Sequence, residues 1–419
     1  MPMAKVTKND LVTVQTAAEF LNVSSDTIRR WHKKGLVKAV KGDSGQRLFS
    51  QDELTRVLSK GSESAKPWTV LKAPKSKLTS IELFCGAGGL ALGMHNAGIN
   101  SKLLVDVDKD SISTLNRNRP QWNAQLASVS EIDLHDYSGE IDVMAGGFPC
   151  QAFSYAGKSL GFEDTRGTLF YEYARLIEQV KPRLVIGENV KGLLNHDSGR
   201  TLDVITRTLE NLGYRVAYKV LRSQFFDVPQ KRERLIIFGI RNDVNSDFLF
   251  PVEKDYTISL KSALSGVPKS PGQTYSAEKE RIMRLIPEGG YWRDLPDSLQ
   301  RSYMGASYHL GGGKTGMARR LSWSEPSLTL TCNPAQKQTE RCHPSDTRPL
   351  TVREYARIQT FPDDWEFIGS VSSQYKQIGN AVPVNLGYQV GLAACAILGV
   401  NRRLAESPAS LERIQTSES

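Results

Sequence analysis

Apolar positions change period along the chain, and each change predicts a different kind of structure. Ala17, Ala18, Phe20 and Leu21 fall at helical spacing, so Thr16 to Leu21 predicts a short helix that Asn22-Val23-Ser24 breaks. Ser25 or Asp26 caps a second helix running to Lys34. Its inward face holds Ile28 and Trp31, and it presents Thr27, Arg29, Arg30, His32, Lys33 and Lys34 outward; Gly35 ends it. Leu36 to Val40 and Arg47 to Phe49 flank Gly42-Asp43-Ser44-Gly45 as a hairpin wing. Ser50-Gln51-Asp52-Glu53 is a capping box that opens a third helix.

Residues 61–78 are polar and rich in breakers, which predicts a linker. Strand-like apolar runs then alternate with helical stretches: Ser80–Phe84, Leu103–Val107, Asp142–Ala145, Leu184–Gly187, Val216–Leu221 and Leu235–Ile240. That alternation predicts a doubly wound α/β domain whose mostly parallel sheet is covered by helices. From about residue 256 the pattern turns irregular and richer in Gly, Pro, Ser and Thr. Helical patterning resumes near Gln374 and runs to Val400, and the polar tail from Asn401 reads as flexible. The expected units are a helix-turn-helix head at 1–60, the linker at 61–78, and a large domain at 79–255 and 372–400. A small irregular domain at 256–371 and a flexible tail at 401–419 complete the chain.

Composition narrows the class. Apolar residues make up 39% and charged residues 24% of the 419, as in globular domains, and no apolar run approaches a membrane span. Without a signal-like apolar core, the chain is expected in the cytoplasm. Cys85, Cys150, Cys332, Cys342 and Cys395 are sparse and never spaced Cys-x-x-Cys, so neither a disulfide framework nor a zinc site is expected. Residues 1–80 hold fifteen Lys and Arg against seven Asp and Glu, a charge of +8 out of the chain's +9. A basic head on a near-neutral body suggests a polyanion partner, although charge alone reads by default as a solvated basic face.

Four polar clusters sit at strand ends, where α/β proteins place their ligands. Ile81-Glu82-Leu83-Phe84 runs into Cys85-Gly86-Ala87-Gly88-Gly89 and a helix, a turn that lets backbone approach a ligand. Asp106 ends the next strand, placed to accept from ribose hydroxyls, and no Lys-Ser/Thr pair follows the glycines as a P-loop requires. Gly146-Gly147-Phe148-Pro149-Cys150-Gln151-Ala152-Phe153-Ser154 follows another strand. A lone cysteine is most often a small buried hydrophobe, but this one lies in a Gly- and Ser-containing loop. Glu188-Asn189-Val190 closes a further apolar run, where a carboxylate is costly to bury unless it binds something. Gln230-Lys231-Arg232-Glu233-Arg234 precedes Leu235, and its alternate arginines could clamp a carboxylate or phosphate, with a surface charge run as the alternative.

In order and spacing these clusters resemble the cytosine-5 DNA methyltransferases over residues 79–400. Arg166-Gly167-Thr168-Leu169-Phe170, Arg348-Pro349-Leu350-Thr351 with Arg353-Glu354, and Gln377-Ile378-Gly379-Asn380-Ala381-Val382-Pro383 extend the match. The resemblance implies that Cys150 attacks carbon 6 of a flipped-out cytosine, that Glu188 engages ring N3, and that Arg232, with Arg234, positions the base and lowers the thiol pKa. It implies S-adenosylmethionine as cofactor, with Phe84 on the adenine and Asp106 on the ribose. Gly86, Ala87, Gly88, Gly89, Val107, Ser128, Val129, Pro149, Leu169, Asn380, Ala381 and Val382 would complete that pocket. Two departures stand out: the ribose ligand is usually Glu where this chain has Asp106, and Ser128-Val129 replaces the aspartate expected for the adenine amino group. Double-stranded DNA is the implied partner, met by Gln151, Ser154, Arg166 and Thr329, with about 256–345 as the recognition region. The implied biology is protection of a short site in a restriction-modification system, by a monomer on its target. An RNA cytosine-5 methyltransferase of the same fold remains an alternative, as does a non-catalytic regulator.

Roughly residues 11–60 carry a second resemblance, to the winged helix-turn-helix of MerR-type regulators and excisionases. It rests on the basic second helix and on Arg47-Leu48-Phe49 before the capping box, and implies DNA contacts from Arg29, Arg30, Lys33 and Lys34. It also implies repression of the protein's own promoter and a possible dimer through the head. A plain helical hairpin for protein contacts is the alternative.

Overall fold

A computed structural model of the protein describes residues 11–21, 28–29, 31–32, 37–42, 45–55, 66–149, 169–309, 315–400 and 411–414. At the amino end β1 (Leu11–Thr13), β2 (Val40–Lys41) and β3 (Arg47–Ser50) form an antiparallel sheet in the order β1-β3-β2. Thr13 caps α1 (Val14–Phe20) by accepting from the Thr16 amide. Ala17, Ala18, Leu21, Ile28, Val37, Phe49 and Leu54 bury against one another as a core of their own, with Trp31 packed on its edge. Ser50 accepts from the Glu53 amide at 3.2 Å, while the Glu53 carboxylate accepts from the Lys38 amide at 2.9 Å. The helix at 51–55 is thereby tied to the wing. Arg29 is exposed; Arg30, Lys33 and Lys34 lie outside the described residues.

The body is built on a seven-stranded sheet. Its strands are β4 (Thr79–Leu83), β5 (Asn100–Asp106), β6 (Ala124–Leu126), β7 (Val143–Gly146), β8 (Leu184–Val190), β9 (Tyr214–Arg222) and β11 (Glu233–Arg241), in the order β6-β5-β4-β7-β8-β11-β9. The two-residue β10 (Gln230–Lys231) pairs instead in parallel with β13 (Ser327–Leu328). All neighbours are parallel except β11, which runs antiparallel to both β8 and β9. Helices cover both faces, which is why the strands read as nearly continuous apolar runs. Ile81, Leu83, Val105 and Met144 pack with Phe170, Leu176 and Ile205 from α4 (Leu169–Val180) and α5 (Arg200–Asn211). Val143, Ala145, Ile186 and Phe238 pack with Leu90 and Met94 of α2 (Gly89–Asn96) and with Leu386 and Val390 near the carboxyl end. The order reverses at β4, between β5 and β7, and such a switch point opens a crevice at the carboxyl ends of the strands.

The structure redraws three of the expected boundaries. First, the irregular region is not one unit from 256 to 371. Met283, Ile286, Trp292, Leu295, Met304, Met317, Ala318 and Cys342 form a separate small core. Leu260, Leu350, Tyr355, Phe361 and Trp365 instead pack with Cys85, Ala87 and Leu115 in the large body. The small core is pinned by Arg320, whose guanidinium is buried and donates to the carbonyls of Met283, Ile286, His343 and Asp346 and to Thr347 Oγ1.

Second, residues 66–78 are a strap rather than a free linker. The Trp68 amide donates to Ser262 Oγ at 3.0 Å and its indole to the Arg357 carbonyl at 2.9 Å, with the Arg357 guanidinium 4.8 Å from the ring centroid. The Leu71 amide donates to Asn385 Oδ1 and the Ala73 amide to the Asn96 carbonyl. Trp68 and Val70 pack against one core of the body and Leu78 is buried in another, so the segment is held by side chains and backbone together, contacts with distant residues that local composition does not carry. Third, the tail is not uniformly free: β14 (Leu411–Ile414) pairs antiparallel with β12 (Phe248–Pro251), and Leu411 and Ile414 pack on the large core.

The strap sets where the chain can be cut. Removing residues 1–65 is expected to leave melting of the body unchanged in calorimetry. Trp68→Ala in the full chain should cost about 1–2 kcal/mol, since the side chain is half-buried, or about 1.5–3 °C for a body of this size. An unchanged melting point for Trp68→Ala would return the segment to linker status.

Candidate active site

A cleft of about 990 Å³ opens at the carboxyl ends of β4, β5, β7 and β8. Its near wall is the turn from β4 into α2. Phe84 adopts a left-handed φ of 56°, a conformation that costs a bulky residue on the order of 1 kcal/mol or more. Gly86 donates its amide to Asp106 Oδ2 and Asp108 donates to Oδ1, each at 2.8 Å, so both carboxylate oxygens are held and each keeps a free lone pair. Val107 lines the cleft beside them and is 70% exposed although apolar. A Cβ on Gly89 would lie 2.2 Å from the Val382 carbonyl oxygen, so only glycine admits this approach. Ala381 and Val382 line the cleft where α10 (Val371–Asn380) meets α11 (Val384–Ile397), and Asn380 Oδ1 accepts from the Cys332 thiol at 3.0 Å.

The floor carries a carboxyl group that the sequence reading passed over. Glu82 is 3% exposed, lines the cleft, and keeps Oε2 without a hydrogen-bond partner. Burial, reinforced by Glu188 and Asp106, holds its pKa well above the ordinary carboxylate range. Burial together with the Asp106 and Glu82 charges also pushes the Cys85 thiol well up, which makes it a poor nucleophile. The signal that could have found Glu82 is the one that singled out Glu188, a carboxylate inside an apolar strand run.

The far wall is formed by the exits of β7 and β8. Asn189 donates from Nδ2 to the Phe148 carbonyl at 2.8 Å, while its Oδ1 accepts from the Val190 amide. The Phe148 ring packs on Phe170 and Tyr173 at centroid distances of 5.1 and 5.8 Å. Together these contacts fix the backbone that leads through Pro149 to residue 150. Cys150, Gln151, Ser154 and Arg166 lie outside the described residues.

Glu188 faces the cleft and pairs with Arg234, Oε1 to Nε at 2.7 Å, with both side chains nearly buried at 13% and 11% exposure. The second arginine has different partners. Arg232 donates to the Leu330 carbonyl at 3.2 Å and the Gly379 carbonyl at 3.0 Å, tying the stem of the small domain to α10. Burial, with Arg234 beside it, pulls the Arg232 guanidinium down to about 9. The arginine holding the carboxylate is thus Arg234, where the sequence assigned base positioning chiefly to Arg232. Thr329 lines the cleft with its hydroxyl donated to the Lys231 carbonyl.

Five expected cofactor residues, Ala87, Gly88, Ser128, Val129 and Leu169, are not among those lining the cleft. Ala87 is buried in the core with Leu115. Val129 is buried with Leu134, with Leu169 partly buried against the same core, and its carbonyl accepts from Arg175. Ser128 hydrogen-bonds Ser130 at 2.7 Å. The structure adds Lys376, paired with Asp108 at 2.8 Å, and Cys332, for which the sequence held no signal.

The model of the C-5 cytosine-specific DNA methylase family matches residues 78–394, the whole of this cleft and its supporting sheet. The chain belongs to that family. Among characterised relatives, Type II methyltransferase M.Eco47II of Escherichia coli is 51% identical over 404 residues, covering 93% of this chain and 97% of its own. Type II methyltransferase M.PspPI of Psychrobacter sp. (strain TA137) is 50% identical, covering 91% and 95%. A solved structure titled as a putative DNA modification methyltransferase encoded within a prophage (E. coli) superposes with a TM-score of 0.57 at 22% identity, over 77% of this chain and 100% of its own, a likeness of fold. The MerR family regulatory protein model matches residues 13–49, from the start of α1 through most of β3. The methylase is thus a DNA cytosine-5 methyltransferase, and S-adenosylmethionine is its methyl donor.

The two arginines of this methylase separate in a simple experiment. Arg234→Ala should lower the single-turnover methylation rate by about 10²-fold, the scale of a lost preorganised contact, with S-adenosylmethionine affinity nearly unchanged. Arg232→Ala should chiefly destabilise, because buried carbonyls lose their donors at about 1–3 kcal/mol each. Equal effects on rate and stability from both variants would overturn the division of labour.

Proposed function

We propose that the enzyme methylates carbon 5 of one cytosine in a specific short duplex sequence, through a covalent adduct of Cys150 with a flipped-out base. We further propose that it is the modification partner in a Type II restriction-modification system, as the names of its relatives suggest. The observation that carries the reading is the Glu188–Arg234 pair, which faces the same cleft as the Pro149 exit leading to Cys150.

The residues present fit S-adenosylmethionine. Val107 is an exposed apolar surface beside Phe84, suited to a stacked purine, and Asp106 offers two oriented acceptors to a ribose diol. Pro149, Asn380, Ala381 and Val382 would close the pocket around the remainder. The cofactor supplies an electrophilic methyl group on a sulfonium. Carbon 5 of cytosine is a weak nucleophile until the ring is activated. The Cys150 thiolate adds to carbon 6, and Glu188 favours protonation at N3, so that the displaced electron pair gathers as an enamine at carbon 5. Arg234 holds the Glu188 carboxyl at the angle this contact requires. After carbon 5 has taken the methyl group, loss of its proton to a base expels the Cys150 thiolate and restores the ring. A stacked base cannot meet these groups, so the cytosine must leave the duplex; Gln151, Ser154, Arg166 and Thr329 are the proposed contacts to the DNA around it.

Cys150→Ser is expected to abolish methyl transfer while leaving cofactor and DNA binding largely intact, and only the native protein should form a stable adduct with DNA containing 5-fluorocytosine. Turnover by the serine variant would refute the assignment. Glu188→Gln should slow the chemical step by about 10²-fold or more, with binding of the flipped base affected less.

The amino-terminal module is proposed to bind a separate operator and so to regulate the enzyme's own gene, with Arg29 among its contacts. Footprinting of the full chain against a form beginning at residue 66 tests this without disturbing the strap. The shorter form should keep target methylation and lose the operator footprint, and that footprint should fade steeply with salt as counterion release dictates. Identical footprints would make the module an accessory to the catalytic grip.

A further inference from the structure

Opposite the catalytic cleft, at the amino ends of β4 and β5, lies a second cavity of about 660 Å³. β5 is seven residues long, so the two openings are separated by about 20 Å of strand. One wall is the strap, through Lys75, Ser76 and Lys77; another is the start of β5, through Asn100, Ser101 and Lys102. His95 of α2 and Trp122 form the back, their rings 5.2 Å apart. Three lysines and a histidine line this space, and among its described lining residues there is no carboxylate. Asp142, which bonds Thr79 at the edge, is already paired with Arg183 at 3.2 Å.

Two buried atoms point to a missing ligand. His95 Nδ1 and Ser101 Oγ have no hydrogen-bond partner, although each residue lines the cavity. A buried polar atom left unpaired costs on the order of 1–3 kcal/mol, so such atoms are normally met by something. The strap itself is well fixed: Ser76 donates from both its amide and its hydroxyl to the Gly98 carbonyl, and Asn100 donates to the Ser76 carbonyl. The lysines therefore project from an anchored backbone. Burial, and after it the nearby Arg119, Lys75 and Lys72, keeps the His95 imidazole below its ordinary pKa, so the ring stands at the wall as a neutral hydrogen-bonding group.

We propose that this cavity is a phosphate-binding site, and that its occupant is a backbone phosphate of a DNA segment other than the one in the catalytic cleft. The strap favours DNA over a free phosphate. Residues 66–78 carry Lys66, Lys72, Lys75 and Lys77 and no carboxylate, half of the +8 held by residues 1–80, and lysines spaced along an anchored segment match the spaced charges of a duplex backbone better than a single ion. Lys75, Lys77 and Lys102 supply the charge, Ser101 and His95 the shorter contacts.

The test compares the full chain with its Lys75→Gln/Lys77→Gln/Lys102→Gln variant, whose altered side chains are exposed and should not change the melting point. Binding of a duplex lacking the methylation target is followed against salt. Each lost phosphate contact lowers the slope of log K against log salt by about 0.9, so loss of the proposed contact should make the slope smaller by at least that amount, with kcat on target DNA unchanged. In parallel, acetylation of the three lysines is followed by mass spectrometry with the duplex or with inorganic phosphate. Protection by the duplex together with the reduced slope supports the proposal as stated. Protection by inorganic phosphate with an unchanged slope keeps the anion site and assigns it to a free phosphate. An unchanged slope with no protection by either overturns it, as does the same outcome for a single Lys102→Glu variant.

Discussion

The register of β11 against β8 is the constraint on which the active site depends. β11 is antiparallel to both neighbours, so its amino end lies at the carboxyl edge of the sheet, where the parallel strands present their ligands. Arg234 is opposite Val190, and Glu188 lies two residues back on β8, on the same face. That makes Glu188 and Arg234 a diagonal cross-strand pair, within reach for a long side chain. A slip of one residue would turn the arginine to the other face and leave a nearly buried carboxylate without its cation. The same pairing brings Arg232 to the edge where it meets the Gly379 and Leu330 carbonyls. One antiparallel strand therefore joins the Glu188 carboxylate, the stem of the small domain and the end of α10.

Much of this was legible in the sequence, for a physical reason. Strands buried on both faces must be apolar along their length, so Leu184–Val190 and Glu233–Arg241 announce themselves through their apolar middles, although their polar ends do not. Edge strands have no such requirement. Ala124–Leu126 and Leu411–Ile414 are short and partly polar, and they form by pairing with distant segments that no local pattern reveals. The orientation of β11 was equally hidden, since a strand reads the same in either direction. At the site, Phe84, Asp106, Glu188 and Arg234 were visible as polar or glycine-rich interruptions at strand ends. Which arginine meets Glu188 required the register.

The small domain was the least legible part because its order is not periodic. Its core of Met283, Ile286, Trp292, Leu295 and Met304 is thin, and it is organised around Arg320 rather than around a repeating apolar face. All five N–H donors of that guanidinium can be assigned to acceptors within the loops it crosses. A buried charge so fully bonded substitutes for regular secondary structure, satisfying carbonyls that helices or ladders would otherwise satisfy. Arg348 does related work at the junction. It grips Glu354 with two hydrogen bonds of 2.8 and 2.9 Å, and Glu354 also closes the capping box with Thr351 that starts the helix at Val352–Ile358. The run Arg348-Pro349-Leu350-Thr351 thus sets how the loops of the small domain re-enter the large body.

The remaining question is why residues near 380, so far along the chain from Phe84, belong to the same pocket. The answer lies in backbone contact between α2 and α11. A Cβ on Gly93 would lie 2.5 Å from the Gly387 carbonyl carbon, so the two helices cross with no side chain between them. Helices that touch through backbone have little freedom to slide, because any displacement drives one main chain into the other. Asn385, near the start of α11, adds a fixed point by donating to the Thr69 and Asp227 carbonyls while its Oδ1 accepts from Leu71. The last helix is therefore held to the first helix of the body and to the strap together. The residues before it, Ala381 and Val382, are thereby held against Gly89, and the cleft is complete only when the helix at 384–397 has docked on the first helix of the body.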